Sequence, residues 1–280
     1  MKAQTFELFF ALVLMACAPA PVTPVTPTPT AKNVLFIQGD HLPDNGYPHS
    51  RVRDAGTVPE SFTRLRTEVL ERDLNLLVDE FVLTTQNSIT IEQLKRYTVV
   101  VLGANGRLFS SAELAALNQY YEQGGSMLVY ADFQYGPNNW ASDNGFLNPF
   151  GIEVFPDNFQ PTTLISDVLT THPVMNGVKA IQGEGISQFR ISQAALAQVQ
   201  VLAKCSPLTR SGCIVKPEEQ AKIQTGDVVA CVWVRVNASA GRLAGLCDRN
   251  PLHNGPGPGS DIDQVDNRTF ARNLFAWLAK

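Results

Sequence analysis

At 280 residues, with 44% hydrophobic and 17% charged side chains, the chain holds enough apolar material for a packed core and too much for disorder. A net charge of -4 and the lack of a Lys/Arg cluster argue against nucleic acid as a partner. Beyond the N-terminal stretch, no apolar run approaches the roughly 20 residues needed to cross a bilayer.

The N-terminus carries a strong local signal. Lys2 precedes the apolar run Leu8 to Met15, which is too short for a spanning helix and fits a signal peptide. Leu14-Met15-Ala16-Cys17 resembles the lipobox of bacterial lipoproteins. That resemblance implies lipidation of the Cys17 thiol, with palmitate among the acyl chains, and cleavage just before it. At about 0.8 kcal/mol per buried methylene, several chains would anchor the protein stably. The alternative is an ordinary secretory signal with an incidental cysteine. From Ala18 to Thr30 the chain is nearly all Pro, Thr, Val and Ala, a semi-rigid extended tether. The organisation expected is a signal peptide and lipobox at 1–17, a tether at 18–32 and one domain at 33–280. It puts the domain in the cell envelope, outside the cytoplasm.

The domain opens with the buried parallel strand Val34-Leu35-Phe36-Ile37 and a polar loop. Helical spacing runs from Ser61 to Val78, followed by a strand at Phe81-Val82-Leu83 and a helical turn capped near Thr90. Thr98 to Leu102 is a strand. Ser110 with Glu113 forms a capping box for a helix whose Leu114, Leu117 and Tyr121 face the core and which Gly124-Gly125 ends. Ser126 to Ala131 follows as a strand, so the unit is a right-handed parallel crossover. Asn144 to Phe150 is a short helix leading into Gly151-Ile152-Glu153-Val154.

After Gly177 the pattern changes to successive strands at Val178–Ile181, Ser187–Ile191, Val199–Ala203, Asp227–Val236 and Arg242–Leu246. The last two form an antiparallel hairpin across Asn237 to Gly241. Asn267 to Lys280 closes the chain as a helix. The fold class expected is α/β: a flavodoxin-like parallel sheet with crossover helices, extended by antiparallel strands in the C-terminal half.

Cysteine usage agrees with export. With Cys17 assigned to lipid, four of the five cysteines remain, and in an oxidising compartment they read as disulfides. Cys205–Cys213 would close a short loop, and Cys231–Cys247 would join neighbouring strands. Zinc is the weaker rival, because no pair has a two-residue gap. Free buried thiols are the third possibility.

The order of motifs from Asn33 to Val154 resembles the class I glutamine amidotransferase-like fold, in its non-glutaminase, GIFT-type branch. The matching pieces include Tyr97-Thr98-Val99-Val100-Val101-Leu102, Phe109-Ser110-Ser111-Ala112-Glu113-Leu114 and Tyr120-Tyr121-Glu122-Gln123-Gly124-Gly125. His172-Pro173-Val174-Met175-Asn176-Gly177-Val178 and Gly241 to Asp248 extend the resemblance over nearly all of the domain. It implies a nucleophilic cysteine on the turn after the Met127–Tyr130 strand, with a downstream His and Glu. Here that turn reads Tyr130-Ala131-Asp132-Phe133-Gln134-Tyr135-Gly136, and the His-x-Glu pair is missing. The activated nucleophile of acyl transfer cannot be assembled, so a glutaminase is excluded.

Ligands of open parallel sheets gather outside the carboxyl ends of strands. Those ends carry Asp40, His41, Asn105, Arg107, Asp132, Gln134 and Asp248, with Asn250 and His253 nearby. Their convergence would suit a sugar, a carboxylate or a divalent cation; the plain alternative is that they occupy solvated loop starts. Trp140 and Tyr47 could stack on a sugar ring or pack onto the domain. No cofactor is expected. Two functions follow: a tethered, non-catalytic module binding a protein or carbohydrate, or an envelope glycan hydrolase using Asp40 and Asp132 with His41. The second needs its carboxyls roughly 5–10 Å apart.

Overall fold

The computed structural model describes residues 32–39, 51–54, 58–103, 107–131, 137–156, 163–165, 167–169, 171–184, 186–204, 221–255 and 261–280. The expected signal peptide and tether at 1–31, with Cys17, lie outside this set. So do Asp40, His41, Tyr47, Asn105, Asp132, Gln134, Cys205 and Cys213.

Thirteen strands are described, β1 (Asn33–Gly39), β2 (Leu77–Leu83), β3 (Val99–Leu102), β4 (Ser126–Tyr130), β5 (Ile152–Pro156), β6 (Thr163–Ile165) and β7 (Asp167–Val168) coming first. Then follow β8 (Ile181–Gly183), β9 (Ser187–Ile191), β10 (Val199–Lys204), β11 (Val228–Ala230), β12 (Val232–Val236) and β13 (Arg242–Leu246). The α-helices are α1 (Ile91–Leu94), α2 (Ser111–Glu122), α3 (Pro137–Leu147) and α4 (Asn267–Leu278).

The large sheet has the order β2-β1-β3-β4-β13-β12-β10-β7. β2, β1, β3, β4 and β13 run parallel. β12, β10 and β7 then alternate in direction. Every residue of β3 and β4 is buried, as a parallel sheet covered on both faces requires. The expected architecture is therefore present, with the antiparallel extension where the sequence pattern changes.

Several boundaries differ from the sequence reading. The helix expected over Ser61–Val78 is a π-helix confined to Leu65–Asp73. Asn75 takes φ of 52°, a left-handed conformation that stops the winding, and the chain enters β2 two residues later. β2 then pairs along all seven residues of β1, from Asn33 opposite Leu77 to Gly39 opposite Leu83, so it is longer than the expected Phe81–Leu83. α3 starts at Pro137 instead of Asn144, because proline's fixed φ suits a first helical turn. The strand expected at Asp227–Val236 breaks at Cys231, whose amide donates to Ala203 O at 2.9 Å. β11 therefore joins β9 and β5 in a separate antiparallel sheet, while β12 stays in the large one. The strand expected at Val178–Ile181 begins only at Ile181. Elsewhere the local signals hold: Thr90 caps α1, and Ser110 with Glu113 makes both bonds of the capping box on α2.

The small sheet is stitched to the large one at its centre. The Ser187 amide donates to Cys247 O at 2.9 Å, and the Phe189 ring meets Trp233 edge-on at 5.5 Å. Gly245, opposite Trp233, makes this possible, since a Cβ there would collide with the indole. No described helix is long and apolar enough to cross a membrane.

Candidate functional site

The carboxyl ends of β1, β3, β4 and β13 form the edge where the sequence reading places a ligand. Gln38 near the end of β1 is buried, and its Nε2 donates to Tyr130 Oη at 3.3 Å. Tyr130 ends β4 with its ring lying where a Cβ on Gly103 would be. Phe62 meets that ring edge-on at 5.7 Å and packs on His253 at 5.4 Å. Burial, reinforced by the Arg249 cation, holds the His253 imidazole well below its usual range, so the ring is neutral. The described part of this edge is an aromatic plug, with Tyr130, Phe62 and His253 all buried.

The described polar candidates serve as internal ties. Asp248 is buried; its Oδ2 accepts the Glu184 amide at 2.6 Å and its Oδ1 the Asn250 amide at 2.9 Å. Asn250 Nδ2 returns a bond to Glu184 O at 2.9 Å. The turn after β8 is thereby clamped to the end of β13, and Gly183 leaves room for the Asp248 carboxylate. Arg107 forms a bidentate pair with Glu113, at 2.7 and 2.9 Å, and donates to the carbonyls of Thr84, Asn87 and Leu108. Burial raises the Glu113 pKa, but the Arg107 bonds and the Ser110 and Ile89 amides outweigh it and hold it at about 2. Arg107 and Asp248 thus point into the protein's own framework. The acids of the hydrolase reading, Asp40 and Asp132, are outside the described residues.

Asp143 on α3 escaped the sequence reading. It is 2% exposed, its Oδ1 has no hydrogen-bond partner among the described residues, and burial alone pushes its pKa up to about 8. The signal that could have found it is periodicity, because Phe146 and Leu147, three and four residues on, are fully buried and share its face. Its neighbour Ser142 is buried too and donates to the Arg107 carbonyl. Ser142 thereby fastens α3 to the segment that precedes α2.

Cys231 and Cys247 are buried free thiols, so the disulfide expected between them is not formed in the structure. They do lie opposite each other across the β12–β13 ladder, with the Cys247 amide donating to Cys231 O at 2.8 Å. Burial, reinforced by the neighbouring Cys231 thiol, raises the Cys247 pKa. At 0% exposure neither thiol is reachable by an oxidant in the folded state. Among the described residues no three His, Cys, Asp or Glu side chains gather as a metal site.

Comparison with known proteins agrees with this architecture. No curated protein sequence matches the chain. Among solved structures, the mmIFT52 N-terminal domain superposes with a TM-score of 0.57 at 16% identity, covering 88% of this chain and 97% of that one. A thua-like protein from Bacteroides uniformis gives 0.55 at 17% identity, covering 94% and 95%. One from Parabacteroides merdae gives 0.53 at 13%, covering 89% and 90%. At such identities these structures establish the fold alone. The family model described as the IFT52 GIFT domain matches residues 62–212, more than half of the chain, and the chain therefore belongs to that family.

Proposed function

We propose that the chain is a lipid-anchored, extracytoplasmic protein whose GIFT domain is a non-catalytic binding or scaffolding module. The observation that carries the reading is the use made of the carboxyl edge. Asp248 and Arg107 tie loops together there, and Tyr130, Phe62 and His253 fill the space beside them. Acyl transfer needs an activated nucleophile at the turn after β4, and that turn has neither cysteine nor serine. Membership of the IFT52 GIFT family fits a module that works by contact. The anchor rests on the lipobox-like Leu14-Met15-Ala16-Cys17 and the proline-rich stretch after it.

Two measurements test the proposal. Glutamine incubated with the purified protein should release no ammonia above the buffer control; turnover that follows the protein through purification would refute the non-catalytic half. In cells, the chain should fractionate with membranes and carry a diacylglyceryl mass on the peptide beginning at Cys17. Cys17→Ala should move it to the soluble fraction. A wild-type chain recovered soluble and unlipidated would remove the anchor.

A further inference from the structure

Next to the end of the large sheet, β10 is only partly covered by the last strand, β7, among the described residues. β7 has two residues and pairs with Ala203 and Lys204 of β10, and the Leu169 amide adds one bond to Leu202 O at 2.7 Å. Val199, Gln200 and Val201 pair with Arg235, Val234 and Trp233 of β12 on one side. On the other side they have no strand among the described residues.

The direction of the free groups follows from the ladder. Asn237 donates to Gly241 O at the hairpin turn, so Arg235 and Trp233, two and four residues back, bond towards β13. Val234 therefore bonds towards β10, and Gln200 opposite it directs its main chain inward. Val199 and Val201 direct theirs to the open side, where neither has a main-chain partner among the described residues. The register shift after Val201 turns the Leu202 carbonyl outward to meet Leu169.

Two grooves flank this edge. One, of about 570 Å³, lies at the start of β10; its charged or titratable lining is Arg235 and His172. The other, of about 190 Å³, lies at the end of β10, and Lys204 is its charged lining residue among those described. Among the described residues neither is lined by a carboxylate, and apolar side chains such as Leu169, Val199, Val201 and Val236 make up much of both walls. Leu169 and Val236 are 39% and 52% exposed. Gln198 Oε1 accepts from Arg235 at 2.5 Å, which aligns the guanidinium beside the first groove.

Building on the binding-module reading, we infer that the β10 edge is a docking site for an extended, acidic segment of a protein partner, added as a further strand. Main-chain bonds to Val199 and Val201 would supply the pairing. Alternate apolar side chains would enter the grooves, and acidic ones would meet Arg235 and Lys204. A second copy of this chain fits less well, because self-pairing would bring Arg235 and Lys204 up to their own copies, and three residues of open edge fall far short of the area a stable dimer needs.

The test uses the intact chain and two fluorescein-labelled heptapeptides, Thr-Val-Glu-Val-Glu-Val-Thr and its lysine counterpart. The acidic peptide should bind about tenfold more tightly by anisotropy, with the gap narrowing as salt rises. Val201→Pro, which removes one outward amide, should weaken it about tenfold. If that variant does not fold, Lys204→Glu at the exposed end of the strand must alone abolish the preference. Equal binding of both peptides, no binding of either, or full affinity in a folded Val201→Pro chain would overturn the inference. A dimer that Val201→Pro dissolves would assign the edge to a second copy and overturn it too. Photo-crosslinkers at Gln200 and at Glu122, exposed on α2, separate this idea from its parent. A partner caught only at Glu122 sinks the edge and leaves the binding module standing.

Discussion

Asp143 stores an acid inside the protein, and among the described residues its Oδ1 has no hydrogen-bond partner. Its pKa is pushed up to about 8 by burial, against about 4 for an exposed aspartate. Between those values the unfolded chain has lost a proton that the folded chain keeps. Stability from this residue therefore falls as pH rises from about 4 to about 8, and levels off above that. Asp143→Asn removes the ionisation and should stabilise the protein at pH 8 by on the order of 2 kcal/mol. Thermal melts from pH 4 to 9 check this: the variant should melt a few degrees higher at pH 8, with the gap shrinking steadily as pH falls towards 4. Parallel curves would show that the carboxyl finds a partner in solution. Glu113 has the opposite sign. Its pKa is held at about 2, so its contribution is complete above about 4.5 and is lost as pH falls through about 2. Glu113→Gln strips Arg107 of its charge partner in a site where the carboxylate is 2% exposed, at a cost of about 3 kcal/mol at pH 7. Urea unfolding at pH 7 and pH 3 should show that deficit shrinking at the lower pH.

The elements meet through a few glycines that admit large rings. A Cβ on Gly103 at the end of β3 would enter the Tyr130 ring, and Tyr130 is where Gln38 of β1 and Phe62 before the π-helix converge. Gly103→Ala should displace that ring and cost about 2 kcal/mol, with near-ultraviolet dichroism altered and far-ultraviolet dichroism retained. An unchanged near-ultraviolet spectrum would mean the ring has room to move. Such close approaches are invisible in the sequence, where Gly103 is simply the residue after the strand expected at Thr98 to Leu102. What was legible were features whose cause is local. The capping box needs only Ser110 and Glu113 three residues apart, and the crossover needs only apolar runs and a glycine stop. The end of the π-helix depended on Asn75, one residue inside an unbroken helical pattern, and the break at Cys231 depended on Ala203 in another strand. The candidate edge was legible as a place and not as a role. Asp248 and Arg107 look alike in sequence whether they face a ligand or a carbonyl, and the choice is made by Glu184, Asn250 and Glu113, up to 64 positions away.

At the scale of the whole molecule, the two larger sheets share one seam, and their independence is the question. Phe189 of the small sheet and Trp233 of the large one are both fully buried at it, and Cys231 and Cys247 lie alongside with no exposed surface. A seam of this kind couples the sheets into one cooperative unit. The thiols are then reporters of global opening, since local fraying at an edge does not reach the centre of the large sheet. Under native conditions both should resist alkylation, and their labelling rates should match each other and rise with urea in proportion to the unfolded fraction. Phe189→Ala removes an aromatic anchor from the seam, at a cost of about 3 kcal/mol. Labelling of both sites should accelerate roughly a hundredfold in that variant, followed site by site by peptide mass, because every 1.4 kcal/mol is about a factor of ten. Acceleration at Cys231 and Cys247 without any change in the global unfolding midpoint would mean that the small sheet lifts away by itself, and that the molecule opens in two stages.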